Sequence, residues 1–327
     1  MHCRIVRAVA LAFLVTAGTV CAHAQDWPLQ KPVRIEVISA AGGLTDLAPR
    51  LIGKYLSPAI GEPVVVENRP GAGGNIAAGI VAKAEPDGHT LLLTGSNQAV
   101  NPTLLPNPGF DYEHDLAPLS MVVGAKMLLV ASPKFAASNI TDIIKLAKAK
   151  PKSVSIAISP IGTPNHLGAE MLAQIADVDL TFVPYGGIGQ ATPDLLAGRV
   201  DLAVAAISSV LPHVQSGALK AIAVTSSKRA SLAPEIPTTA EAGLPGMQID
   251  AWICFMVTGG TPAPVIKKID AEIAKVLQIP EVRDAFAKQG VEILHMGPDE
   301  LGRFLKSEGT RFATLLQHSR VVKTSTK

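Results

Sequence analysis

Aromatic residues make up only 4% of this 327-residue chain, so a core has to be built from Ala, Val, Leu and Ile. That is the composition of aliphatic strands packed under small-residue helices in α/β proteins. Cysteine is scarce as well. Cys3 and Cys21 fall in an N-terminal segment that reads as a leader, which leaves Cys254 alone in an apolar run and excludes an internal disulfide from the mature chain. No His or Asp pattern accompanies Cys254, so it reads as a small buried hydrophobe rather than a nucleophile. Long apolar runs are missing beyond Ala8 to Val20, and that run is too short to span a bilayer comfortably.

The same run, preceded by Arg4 and Arg7 and followed by Ala22-His23-Ala24, has the layout of a secretory signal cleaved before Gln25. Val20 just before Cys21, with Gly18 and Thr19 preceding it, argues against a lipoprotein. Losing residues 1–24 removes two arginines and no acid, bringing the formal charge from +2 to zero. Such a chain has no overall field to hold nucleic acid or anionic lipid.

Catalytic and metal patterns are lacking too. The remaining histidines, His89, His114, His166, His213, His295 and His318, include no pair at helical metal-ligand spacing. There is no Gly-x-Ser-x-Gly elbow and no Gly-Lys-Ser or Gly-Lys-Thr phosphate loop. The segments starting at Gly71 and Gly187 miss the third glycine of a dinucleotide fingerprint. Neither metal nor cofactor is expected.

What is present is a repeated unit of strand, polar loop and helix. Val33, Ile35 and Val37 alternate with Arg34 and Glu36 and run into Ala40-Ala41-Gly42-Gly43, with Thr45 placed to cap a helix. Thr90 to Thr94 leads into Gly95-Ser96-Asn97-Gln98, Val154 to Ile158 into Ser159 through His166, Leu180 to Val183 into Tyr185 through Gln190, and Val200 to Ala205 into Ser208-Ser209. The end of the chain turns helical over Ala263 to Leu277, Glu281 to Gln289 and Pro298 to Gln317, with one short strand near Val291 to Leu294. Strands alternating with helices imply sheets whose ligands sit beyond the carboxyl ends of the strands, where these loops lie. About 300 residues is roughly two domains' worth. No linker separates them, so the chain is expected to cross between domains in paired strands near 120–130 and 240–258. Residues 25–124 and 245–327 then form domain 1 and residues 125–244 domain 2.

The loops share Gly, Ser, Thr and Asn just before helices. Exposed N–H groups at helix starts attract anions, and each hydrogen bond to a charged group contributes ~1.5 to 3 kcal/mol. Several such ends around one cleft could hold a carboxylate without Arg or Lys, although any single loop could use glycine for turn geometry alone.

Pro63 through Asn75, Pro86-Asp87-Gly88-His89-Thr90-Leu91-Leu92, Val183-Pro184-Tyr185-Gly186-Gly187, Ala223-Val224-Thr225-Ser226 and Pro237 through Gly246 resemble, in order, the signature segments of the Bug family. Its members are the substrate-binding proteins of tripartite tricarboxylate transporters. The resemblance implies an α/β fold of the two-domain, type II periplasmic-binding-protein (Venus flytrap) kind with mixed, mostly parallel sheets. It also implies periplasmic capture of a small carboxylate by a non-enzymatic monomer and delivery to membrane permease subunits.

Carried over residue by residue, the resemblance implies one ligand loop at Ala41, Gly42, Gly43, Leu44, Thr45 and Asp46 and a second at Ser96, Asn97, Gln98 and Asn101. Opposing contacts are implied at Gly162, Thr163, Asn165 and His166, at Tyr185, Gly187 and Gln190, and at Ala205 and Ala206. Thr45 and Asp46 could instead cap their helix, Tyr185 could pack in the wall, His166 could start a helix and Trp252 could sit in the core. Three departures from the family pattern stand out: Ala40 replaces a usual Pro, Leu44 a small or polar residue, and Val204-Ala205-Ala206 a common Phe-Asp-Asn. Without that acid, the expected guest is a non-amino carboxylate, apolar or aromatic. Two alternatives are a periplasmic sensor feeding a signalling receptor and a secreted hydrolase. Deleting the gene and scoring uptake against induction separates transport from sensing.

Overall fold

The computed structural model describes residues 27–28, 30–42, 44–105 and 107–319. The expected leader and Gly43 lie outside the described residues. In chain order the elements are β1 Val33–Val37, α1 Leu44–Ile60, β2 Val64–Asn68, α2 Asn75–Ala82, β3 Thr90–Thr94, α3 Asn97–Leu104 and β4 Leu116–Ala131. Then come α4 Ile140–Ala149, β5 Ser155–Ile158, α5 Pro164–Ile175, β6 Thr181–Pro184, α6 Ile188–Ala197, β7 Leu202–Ala206, α7 Ile207–Gln215 and β8 Lys220–Val224. The chain finishes with β9 Asp250–Thr258, α8 Ala263–Leu277, α9 Pro280–Lys288, β10 Glu292–Met296 and α10 Pro298–Gln317.

Period-two patterning explains β1, whose Val33, Ile35 and Val37 are fully buried. β3 is buried on both faces through Leu91, Leu92 and Leu93, as expected of a strand covered by helices on either side. β1 pairs in parallel with β2 and β3, and β3 meets β9 antiparallel. In the other half β5 pairs in parallel with β6 and β7.

One strand joins the halves. Residues Leu116 to Lys126 of β4 pair with β9, while Met127 to Ala131 pair with β7. This change of partner inside a single strand separates a first lobe, built on β1, β2, β3, β9 and β10, from a second built on β5 to β8. One apolar cluster lies within the first lobe around Ile35, Ile52, Phe255 and Ile269, and another lies within the second around Ala203, Val210 and Val224. A third runs through both, from Leu92 to Ile156, with Phe312 and Leu316 of α10 packed into it. No described helix is long and apolar enough to cross a membrane.

Candidate functional site

Between the lobes lies a cavity of about 730 Å³. Its floor is the crossing strands: Val123, Gly124 and Ala125 of β4 beside Ala251, Trp252 and Ile253 of β9, with Val291 and Gln289 at one edge. Val123, Ala125, Ile253 and Val291 belong to the first lobe's core cluster, so the floor is that core surfacing in the gap. Most of the remaining wall is made of helix beginnings: Leu44 and Thr45 of α1, Ser96 and Asn97 at α3, Thr163, Pro164 and Asn165 at α5, Gly187 and Ile188 at α6, and Ala206 and Ser208 at α7, with Ile38, Ser159 and Pro160 from the ends of strands. No Asp, Glu, Lys, Arg or His is among the described residues lining it. An anion here meets oriented N–H groups and helix dipoles rather than a counter-charge.

Two of the cavity-side turns are held by side chains behind them. In the first lobe, Asp46 is 4% exposed and accepts from Gly42 N at 3.0 Å, Arg50 Nε at 2.9 Å and Asn68 Nδ2 at 2.9 Å. Asn68 Nδ2 also donates to the Ser39 carbonyl at 3.0 Å. The last residue of β2 therefore ties together both ends of the loop that leaves β1. The Arg50 hydrogen bond leads the contacts that hold the Asp46 carboxyl down at about 2, against the cost of burial. Asp46 thus faces its own loop and not the cavity, and Thr45 lies inside α1 rather than at its cap, because the helix already starts at Leu44.

Ser96 and Asn97 reach the cavity because Gly95 lets β3 come close to β9: a Cβ on Gly95 would lie 2.7 Å from the Trp252 carbonyl oxygen. Asn97 and Asn101 both donate from Nδ2 to the Gly73 carbonyl at 2.9 Å. The glycine-rich turn after β2 accordingly scaffolds α3 without lining the cavity. Gln98 is buried in the first turn of the same helix.

In the second lobe Thr163 caps α5 through Oγ1, which accepts from His166 N at 3.4 Å, and Asn165 Nδ2 donates to the Val204 carbonyl at 2.6 Å. Gly162 is buried at φ +87° and its carbonyl accepts from Ser96 Oγ at 3.2 Å, a bond made across the lobes. Ala206 lines the cavity, whereas Ala205 turns into the second lobe's core. Tyr185 spends its hydroxyl on Asp194 Oδ2 at 2.9 Å, and Gln190 accepts from Gly186 N at 3.0 Å. His166 is fully buried behind its loop.

Of the residues singled out from sequence, the cavity brings together Leu44, Thr45, Ser96, Asn97, Thr163, Asn165, Gly187 and Ala206. Ala41 and Gly42 are exposed outside it, and Asp46, Gln98, Asn101, Gly162, His166, Tyr185, Gln190 and Ala205 stand behind or beside it. Cys254 is fully buried and desolvation pushes its thiol pKa up, which disfavours the reactive thiolate. Among the described residues no cluster of His, Cys, Asp and Glu is placed to hold a metal ion.

The model for the tripartite tricarboxylate transporter family receptor matches residues 49–321. The chain belongs to that family. BugT of Bordetella pertussis (strain Tohama I) is 34% identical over 314 residues, 95% of this chain and 96% of that one. Two solved structures from Rhodopseudomonas palustris share the fold, each at 29% identity. Rpa4515 with adipate superposes at a TM-score of 0.77 over 89% of this chain and 98% of that one, and MatC with bound malate at 0.75 over 88% and 99%. The fold is the α/β periplasmic-binding-protein architecture with mixed sheets.

Within this family framework, the site residues that sequence reasoning missed are chiefly the floor, Val123, Ala125, Ala251 and Ile253, together with Ile38, Ile188 and Val291. Except for Ile188, which stands among the glycines of the Tyr185 to Gln190 loop, each lies in or at the edge of a strand, so its pattern matches that of core residues. Only the gap between the lobes distinguishes them.

Proposed function

We propose that the protein is a periplasmic solute-binding protein that captures a small non-amino organic carboxylate of apolar or aromatic character. It then presents the guest to the permease subunits of a tripartite tricarboxylate transporter. The observation that carries this reading is the uncharged inter-lobe cavity, with helix beginnings on its walls and an apolar strand floor. The carboxylate sits at Thr45, Ser96, Asn97, Thr163 and Asn165, and the carbon body lies over Val123, Ala125 and Ile253. An ammonium group finds no acid there: Asp46 is spent on Gly42, Arg50 and Asn68. Capture needs no covalent step, since Cys254 is sealed in the core. Residues 25–124 with 245–327 and residues 125–244 are the two bodies that close on the guest, a reading supported by the change of partner after Lys126 in β4.

Calorimetry with benzoate, adipate, malate, aspartate and glutamate tests the reading. Benzoate or another simple acid should bind more tightly than either amino acid. Tighter binding of aspartate or glutamate overturns the guest class, and a flat response to all five removes carboxylate capture itself.

A further inference from the structure

His166 lines no part of the cavity, yet it sits at the centre of a buried chain of polar contacts that starts there. Ser96 Oγ of the first lobe donates to the Gly162 carbonyl at 3.2 Å. Gly162 N donates to His166 Nδ1 at 3.3 Å. On the far side of the ring, Nε2 lies 3.6 Å from Glu170 Oε1, just outside hydrogen-bond reach, and has no other partner among the described residues. Ser319, beyond the end of α10, donates to the same Glu170 oxygen at 2.6 Å, and Gln174 Nε2 donates to the Leu315 carbonyl of α10 at 3.0 Å.

The ring's protonation follows from these contacts. A peptide N–H aimed at Nδ1 requires that nitrogen to be bare, which leaves the proton of a neutral imidazole on Nε2, toward Glu170. Gly162 has little freedom otherwise. Its φ of +87° suits glycine, and a Cβ would come within 3.2 Å of Leu104 and 3.4 Å of Val100 on α3 of the first lobe.

We propose that His166 is the positioning residue of the second lobe's ligand loop, its bare Nδ1 fixing the Gly162 amide so that the Gly162 carbonyl meets Ser96 across the cleft. The ring holds from behind a loop whose Thr163 and Asn165 face the cavity, and Glu170 with Ser319 ties that hold to the end of α10. The proposal rests on the cavity being the ligand site. A residue that merely filled space here would be replaceable by any side chain of similar bulk.

The test compares three substitutions. His166→Asn puts an acceptor where Nδ1 stands, His166→Gln puts its amide near the Nε2 position, and His166→Leu keeps bulk without an acceptor. Calorimetry and stopped-flow dissociation with benzoate, adipate and malate should show His166→Asn near wild type. The Gln and Leu variants should bind ~10-fold more weakly or worse, mainly through faster release, the size expected for losing one buried hydrogen bond. Nitrogen NMR of the wild-type ring should show Nδ1 unprotonated and Nε2 protonated, and Gly162 amide exchange should speed up in the Leu and Gln variants only. Equal binding by all three variants, or equal loss in Asn and Gln, overturns the proposal, and so does a protonated Nδ1. If wild type binds none of the three acids, the proposed guest class fails by itself, and the ring NMR and Gly162 exchange still decide the role of His166. Should a variant not fold, the wild-type ring measurement decides alone.

Discussion

The turns that lead into α1 and α5, on either side of the cleft, are held in electrically different ways. Behind the first, a carboxylate gathers Gly42, Arg50 and Asn68 around itself, and Arg50 remains nearly half exposed. Behind the second, the ring of His166, closed off from solvent, takes a single backbone N–H. One turn depends on a charge that salt can screen. The other depends on shape and on which ring nitrogen is bare. The difference shows that an uncharged cavity can still rest on charged supports, provided that the charges are consumed behind the wall.

That contrast can be broken or sharpened at several points, in decreasing order of expected effect. Asp46→Ala leaves the Gly42 amide without its acceptor and Asn68 Nδ2 with Ser39 alone, and should lower unfolding stability by about 2–3 kcal/mol, read as a shift of the urea midpoint at constant slope. Asp46→Asn should recover part of the loss, because an amide oxygen still accepts. If both variants match wild type, the charged brace is not holding the loop. Gly162→Ala should cost roughly 1–2 kcal/mol, since a Cβ is strained at positive φ and crowded by Leu104. The same variant should weaken acid binding, and calorimetry on folded protein checks this.

Acid tests the first support next. The Asp46 carboxyl is depressed to about 2, so its contribution is fully present above the unfolded carboxylate range near pH 4 and disappears as pH falls through about 2. The Gly42 amide resonance should therefore stay native at pH 4 and move only below about pH 3, and a midpoint at 4 or above would refute the brace as described. The smallest effect belongs to Arg50→Ala. With its side chain 47% exposed, the Arg50–Asp46 pair contributes below about 1 kcal/mol, and denaturation midpoints at low and high salt should converge for wild type and variant.

Much of the framework is legible in the sequence because local physics sets it. The strand from Thr90 to Thr94 and the helix from Ala263 to Leu277 have the bounds their periodicity predicts. α4 is encoded just as locally: Asn139 Oδ1 accepts from Asp142 N, and Ile140, Ile143 and Ala147 face inward. The loops that converge on the cavity are legible as the polar breaks after strands. The finer assignments within them are not. Asn68 stands at the end of β2 and nothing nearby in sequence says that its amide reaches Ser39 and Asp46. Val123 and Ile253 read as core because their neighbours are core, and it is the register that pairs them across β4 and β9 that brings them to the cleft floor.

By itself the sequence determined the alternation of strands and helices, the glycine-bearing turns, the absence of a triad or metal pattern and the near-neutral charge, all of which follow from residue chemistry over short stretches. Tertiary structure alone decided which of those turns share one cavity, which polar side chains face a guest and which are consumed as supports behind it. Those outcomes depend on contacts between residues tens of positions apart, Asn68 with Ser39 or Ser96 with Gly162, and no local preference encodes them.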